Sequence, residues 1–345
     1  MFNIIKKFIR ENRNFILVCI AVVLIGLFLY GNLQPKALAE TMAWIYPGEP
    51  ACSASAEYSD GRVIDVLKPE YFNVNNSGVL DLATEQSAGC NGFSPDNLAG
   101  IKKYSKEQYI TVANTGASGL SVFLARSTTN EADINTLVSF VVNNDVTGIE
   151  IDFENFSNWD GNMYLEYKQF LQKLGDALHA KNKKLMIDGP AIVSAEQNLF
   201  IFKYGDMAKL PIDKVVILIY DYEFDHGVGQ PVSPIGWIQD VISATKKNFP
   251  DTSKITAGIP SYGYVGSKST GQIKLLTFDQ TRNELGFIDS VRDPASLEMT
   301  WTNGDNVYFY QDSQSMALKV KVIQNMGISS ISIWHLGGNP WYNFK

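Results

Sequence analysis

Thr147-Gly148-Ile149-Glu150-Ile151-Asp152-Phe153-Glu154-Asn155, TGIEIDFEN, sets three carboxylates at every second position between apolar residues. Period-two alternation sends Glu150, Asp152 and Glu154 to one face of a strand and Ile149, Ile151 and Phe153 to the other. If the sheet had one wet face, the acids would be the solvent side of an edge strand. On a strand buried on both faces, they would converge on an enclosed site. The neighbouring segments decide between the two.

Strand-like apolar runs recur at Ala43–Tyr46, Val63–Leu67, Tyr109–Ala113, Gly148–Phe153, Lys184–Asp188, Lys214–Tyr220, Lys254–Ile259 and Ser329–Trp334. Between most of them lie segments of helical period. In Tyr164–Ala180, Leu165, Phe170, Leu171, Leu174 and Leu178 recur at three- and four-residue intervals, and Pro234–Phe249 and Gln314–Met326 read alike. A further helix, from about Glu131 to Asn143, feeds the acidic strand. Eight strands alternating with helices imply a parallel sheet covered on both faces. The fold class is therefore α/β, a (β/α)8 TIM barrel over residues 40–345, with an insertion at about 266–312 between strands seven and eight. An open doubly wound sheet is the alternative; its phosphate-binding glycine loop is missing.

In such a barrel, alternate residues of each strand point inward, and sites form at the C-terminal strand ends. Glu154 then lies outermost, Asp152 one layer below and Glu150 deeper still. Crowding of like charges raises at least one carboxyl pKa and leaves a protonated acid near neutral pH. The spacing supplies a general acid.

With 45% hydrophobic and 19% charged residues, the 345-residue chain can bury a sizeable core and is not a disordered protein. Net charge −7 argues against a nucleic-acid partner. His179, His226 and His335 are far apart and the cysteines are single, so no metal site is expected. Neither GxGxxG followed by an acid nor GxxxxGK[ST] occurs, and no cofactor is expected. At the N-terminus, Lys6, Lys7, Arg10 and Arg13 precede the uncharged run Phe15–Tyr30. As a helix this run rises about 24 Å, short of a hydrocarbon core of roughly 30 Å. Residues 1–39 read as a signal peptide, with Ala37-Leu38-Ala39 as cleavage pattern, or as a membrane anchor if uncleaved. Either way the rest is sent outward, to the cell envelope or the medium. Removing residues 1–31, with four basic and one acidic residue, leaves the remainder at −10. Cys52 and Cys90 remain in that part, as a disulfide clamping an early loop or as two free thiols.

Glycoside hydrolysis ordinarily needs a second carboxylate across the sugar ring. Residues two apart on a strand are only about 6.5–7 Å apart and point the same way. Asp152 therefore cannot easily reach the face opposite Glu154, and a nucleophile must come from elsewhere. A substrate with a 2-acetamido group can supply its own carbonyl oxygen.

TGIEIDFEN resembles the D-G-x-D-x-D-x-E signature of glycoside hydrolase family 18, the chitinase-like enzymes. Leu218-Ile219-Tyr220-Asp221 is similar to that family's M-x-Y-D, and Gly258-Ile259-Pro260-Ser261-Tyr262-Gly263 to its G-x-P-x-Y-G. Val307 to Gly337 is similar to its last helix and its tryptophan-bearing eighth strand. The resemblance spans roughly 43–341, with four motifs in order. Three features depart from it: Thr147 replaces the first signature Asp, Glu150 the second, and TVANTG lacks the usual S-x-G-G. The relaxed second Asp is closer to the spore-cortex and cell-wall branch and moves the substrate toward peptidoglycan, with chitin still open.

The resemblance implies a retaining, substrate-assisted O-glycosyl hydrolase acting on polysaccharide, as a monomer. Glu154 would be acid and base. Asp152 would hold the acetamido N–H, with Glu150 behind it sharing its proton. Tyr220 would bond the acetamido oxygen, Asp221 would position the sugar, and Trp334 would lie beneath it; Tyr262 and Tyr46 are further sugar contacts. Asp188 and His335 are read as structural. The altered Thr147 and Glu150 keep open a carbohydrate-binding protein on the same barrel.

Overall fold

The computed structural model describes residues 38–60, 64–114, 117–194, 200–339 and 342. The apolar run 15–30 lies outside them. Among the described residues, no helix is long and apolar enough to cross a membrane.

Eight parallel strands form the core: β1 (Glu40–Ile45), β2 (Val66–Pro69), β3 (Glu107–Asn114), β4 (Gly148–Phe153), β5 (Lys184–Pro190), β6 (Lys214–Leu218), β7 (Ile255–Pro260) and β8 (Ser330–Trp334). Each pairs with its neighbours, and Val66 and Leu67 of β2 against Glu107 and Gln108 of β3 complete the ring. The sheet is a closed (β/α)8 barrel, so the open doubly wound alternative falls. Period two sorts the side chains. Met42, Trp44, Val66, Tyr109, Met186, Val216 and Leu218 fill the interior. Ile149, Ile151 and Phe153 join the larger layer shared with the outer helices. All six residues of β4 are buried, as the enclosed reading of the acidic strand requires. Gly148 starts β4 because a side chain there would strike the backbone of Lys184, with Cβ only 2.1 Å from its carbonyl oxygen.

The helix expected at Tyr164–Ala180 runs Gly161–His179, started by Asp160, whose carboxylate accepts from the Met163 N–H at 2.8 Å. The last helix, Ser313–Asn325, is likewise capped by Asp312, and Gly327 follows with φ 82°.

Apart from β4, the strand ends differ from expectation by up to three residues, and three differences have consequences. Strand two runs Val66–Pro69, past the expected end at Leu67; its expected start, Val63, lies outside the described residues. Strand six stops at Leu218, leaving Tyr220 and Asp221 on the loop beyond. The insertion begins at Gly263, earlier than Gly266, because Gly263–Ser267 is already its first strand. That strand follows β7 after only Ser261 and Tyr262, so the alternating pattern hides the change of sheet. Its five strands are antiparallel, and Trp301, Tyr308, Tyr310 and Leu276 pack as a separate small core. An unforeseen hairpin, Phe72–Val74 with Leu80–Leu82, extends the barrel sheet beside β3.

Candidate active site

The three acids of β4 all face the barrel interior, but they live in different surroundings. Glu150 is fully buried, and its carboxylate is ringed by donors. Trp44 Nε1 reaches it at 2.9 Å and the Thr111 hydroxyl at 2.6 Å. The Lys68 ammonium forms a short ion pair with it, both side chains having no solvent exposure. Lys68 also sits over the Trp44 ring, 3.1 Å from its centroid. Beside the expected neighbour Asp152, a cation from β2 that the motif does not include engages Glu150.

Asp152 is 5% exposed, and its Oδ1 meets no donor. Burial pushes its carboxyl up to about 7, with Glu150 adding to the rise, while a hydrogen bond from Asp188 and the Lys68 charge oppose it. Asp188, expected to be structural, borders this acid. Ile151 pairs with Ile187 across β4 and β5, so Asp152 and Asp188 are the next pair up. Asp188 is fully buried, and neither of its oxygens meets an N–H or O–H donor. Burial and the charges of Glu150 and Asp152 hold it well above the carboxylate range.

Glu154, just past the end of β4, is partly exposed. Its N–H donates to Asn114 O at 2.9 Å and its carbonyl accepts from Trp159 Nε1 at 3.2 Å. Asn155 then leaves the strand in the left-handed region, φ 60°. Burial, then Asp152 and Asp221, raise the Glu154 carboxyl well above its usual value. It is disposed to carry a proton.

Two strands on, beyond the end of β6, stand Tyr220 and Asp221. Burial and the charges of Glu154 and Asp152 keep the Tyr220 phenol protonated, a donor. Asp221 also has positive φ, 67°, and accepts a short hydrogen bond from the Tyr262 hydroxyl. Burial raises its carboxyl to about 6, the Tyr262 bond opposing and Asp225 adding. Trp334 is stacked on Tyr46 with ring centroids 6.1 Å apart, and meets Trp44 edge-on at 5.8 Å. Tyr46, Tyr262, Trp334 and His335 line one cavity of about 250 Å³ with Leu276 and Gln280 of the insertion. His335 Nδ1 lies 2.7 Å from Leu336 O, and burial lowers its pKa to about 4, so it stands neutral. A larger cavity of about 650 Å³, bordered by Phe202, Tyr204 and Asp206, is lined by none of these residues. Cys52 and Cys90 form a disulfide, Cα atoms 5.3 Å apart.

Glu70 was not foreseen. It follows β2, its N–H donating to Ile45 O at 2.9 Å, and its Oε1 is buried without a donor. Burial, then Asp152, Glu154 and Glu150, push its carboxyl well up against the pull of Lys68. This disfavours the ionised form that a nucleophile needs. The site thus offers a proton on Glu154, an acid beneath it, a phenol donor beside it and an aromatic floor.

The model of the glycosyl hydrolases family 18 matches residues 71–339. The chain is 23% identical over 339 residues to the uncharacterized glycosylase YvbX of Bacillus subtilis, covering 93% of this chain and 94% of that one. A chitinase from Chromobacterium violaceum superposes with a TM-score of 0.71 at 23% identity, covering 89% of this chain and 96% of the other. The spore cortex-lytic enzyme SleL of Bacillus cereus gives 0.73 at 18% identity, with 90% and 77% covered. At these identities the two structures speak to the fold.

Proposed function

Since the chain belongs to the glycosyl hydrolases family 18, we propose that it is an exported, retaining hydrolase of β-1,4-linked N-acetylglucosamine polymers, using the substrate's own acetamido group as nucleophile. One observation carries this reading. Glu154 is placed and disposed to give up a proton at the strand end, while the nearby Glu70 is held away from its ionised form.

Glu154 protonates the glycosidic oxygen as the C1–O bond breaks. The acetamido carbonyl oxygen attacks C1, and Asp152 accepts from the N–H of the resulting oxazolinium ion. Water then attacks C1, Glu154 takes its proton, and the sugar leaves with its anomeric configuration retained. Tyr220 donates to the acetamido oxygen, Asp221 positions the ring, and Trp334 with Tyr46 and Tyr262 packs against its apolar faces. Peptidoglycan is the favoured polymer over chitin, supported by the relaxed signature at Glu150. The Cys52–Cys90 disulfide supports export, since such bonds persist in oxidising compartments.

The test is product analysis by mass spectrometry on N-acetylglucosamine oligomers, fully deacetylated oligomers and purified peptidoglycan. Acetylated substrates should be cut and deacetylated ones left intact. Equal cleavage of the deacetylated oligomer would remove the substrate-assisted step.

A further inference from the structure

We propose that Lys68 and Asp188 reassign the proton traffic of the acid column: Lys68 fixes Glu150 as an anion, and Asp188 is the carboxylic acid that exchanges a proton with Asp152. Both act as positioning residues, and the catalytic consequence rests on the glycosidase reading above.

The geometry is asymmetric in a way the β4 signature alone does not reveal. Every donor around Glu150 points at it: an ammonium, an indole N–H and a hydroxyl. An acid so surrounded acts as acceptor only, and handing it a proton would set that proton against the buried Lys68 cation. Glu150 is longer than an aspartate by one methylene, which extends its reach toward β2. Asp188 is the converse case. It is fully buried, no N–H or O–H donor satisfies either oxygen, and the strand register sets it directly beside Asp152, one step above the Glu150 layer. Two carboxyls bonded to one another need a proton between them, and the unsatisfied partner with two acceptor neighbours is the one to carry it.

The remaining neighbours leave this assignment in place. Glu154 and Glu70 also border Asp152, and burial raises both carboxyls toward their neutral form. Tyr167 and Tyr204, from the outer helices, and Tyr220 face Asp188, and burial holds all three phenols neutral. Lys68 is thus the lone cation acting on the column among the described residues, and its ion-pair partner is Glu150. When Asp152 turns its charge toward the oxazolinium N–H, the proton stays on Asp188; when Asp152 returns, the pair shares it again. No bond other than O–H changes.

Selective 13C labelling of aspartate and glutamate carboxyls tests the assignment without any substrate. Near neutral pH, the Asp188 signal, identified by its loss in Asp188→Asn, should sit at the carboxylic-acid position. Glu150, identified by its loss in Glu150→Gln, should sit at the carboxylate position. An ionised Asp188 or a protonated Glu150 overturns the proposal, whether or not the enzyme turns over. Kinetics then test the consequence. Asp188→Asn should lower kcat at least tenfold, leave KM within about threefold and displace the pH profile. In a Lys68→Met background, where Glu150 is free to take up the proton, the same change should cost less than threefold. Equal costs in both backgrounds count against the exchange. A wild-type protein that cuts no acetylated oligomer, with the carboxyl signals as expected, refutes the glycosidase reading and leaves the proton assignment standing.

Discussion

The Glu154 side chain is partly exposed, while its backbone is fixed on both sides by Asn114 and Trp159. A general acid needs this combination: a pKa raised by its surroundings, and a carboxyl that a leaving oxygen can reach. Glu154→Gln keeps size and hydrogen bonding and removes the proton. Turnover on acetylated oligomers should fall by about 10²–10⁴-fold with KM little changed. A variant with near wild-type kcat would take Glu154 out of the acid role. The sign of the pH effect is fixed as well. The needed proton is lost as pH rises through the raised Glu154 value, so activity should fall on the alkaline side. Trp334 and Tyr220 were both legible as singles, each at an inward position on a strand or just beyond it. Glu70, Lys68 and Asp188 were equally legible in principle. All three keep the inward parity of their strands, and a charged residue at such a position has to be paired or protonated. No motif points to Glu70 or Lys68, and for the same reason Asp188 is read as structural.

At the scale of elements, strand β4 was read with its observed ends, because six apolar and acidic residues alternate without interruption between Thr147 and Glu154. The short hairpin at Phe72–Val74 was missed, since three residues give too little period to detect, although Asn75-Asn76-Ser77-Gly78 is a plain turn signal. The contact that seats the insertion was invisible for a different reason: it joins residues far apart in the chain. Glu298 of the insertion is fully buried and accepts from Val232 N at 2.9 Å, Ser233 N at 2.7 Å and Lys319 Nζ at 2.7 Å. It binds the insertion to the loop after β6 and to the last helix at one point. Removing one partner of a buried pair leaves the other charge without compensation. Glu298→Ala should therefore lower stability by roughly 3–5 kcal/mol in urea unfolding. Glu298→Gln combined with Lys319→Met should recover much of that loss. A loss below about 1 kcal/mol for Glu298→Ala would mean the pair adds no more than an exposed one.

Across the whole molecule, the buried acids set how stability depends on pH. Burial is the leading cause for Asp152 and Glu57, raised to about 7, for Asp221, raised to about 6, and for Glu223, raised to about 9. In the unfolded chain these carboxyls titrate near pH 4. Between the two values the native state holds more protons than the unfolded state, so stability declines as pH rises. Each contribution is complete below the unfolded pKa and is lost as pH climbs through the folded one. His335, lowered to about 4, acts in the opposite direction, taking stability away as pH falls from about 6.5 toward 4. The melting temperature should therefore be highest at mildly acidic pH and fall steadily from about pH 6 to about pH 9. Glu223 isolates the upper end of that decline. It is fully buried, neither oxygen meets a donor, and it stands outside the acid column. Glu223→Gln removes its titration while keeping its volume, and should make the fall shallower across the whole window from about pH 4 to about pH 9, including the stretch above pH 7 where Asp152, Glu57 and Asp221 have already ionised. A melting temperature that stays level or rises across that range would show that the buried acids ionise without cost. Their protons would then have to be held by something other than burial.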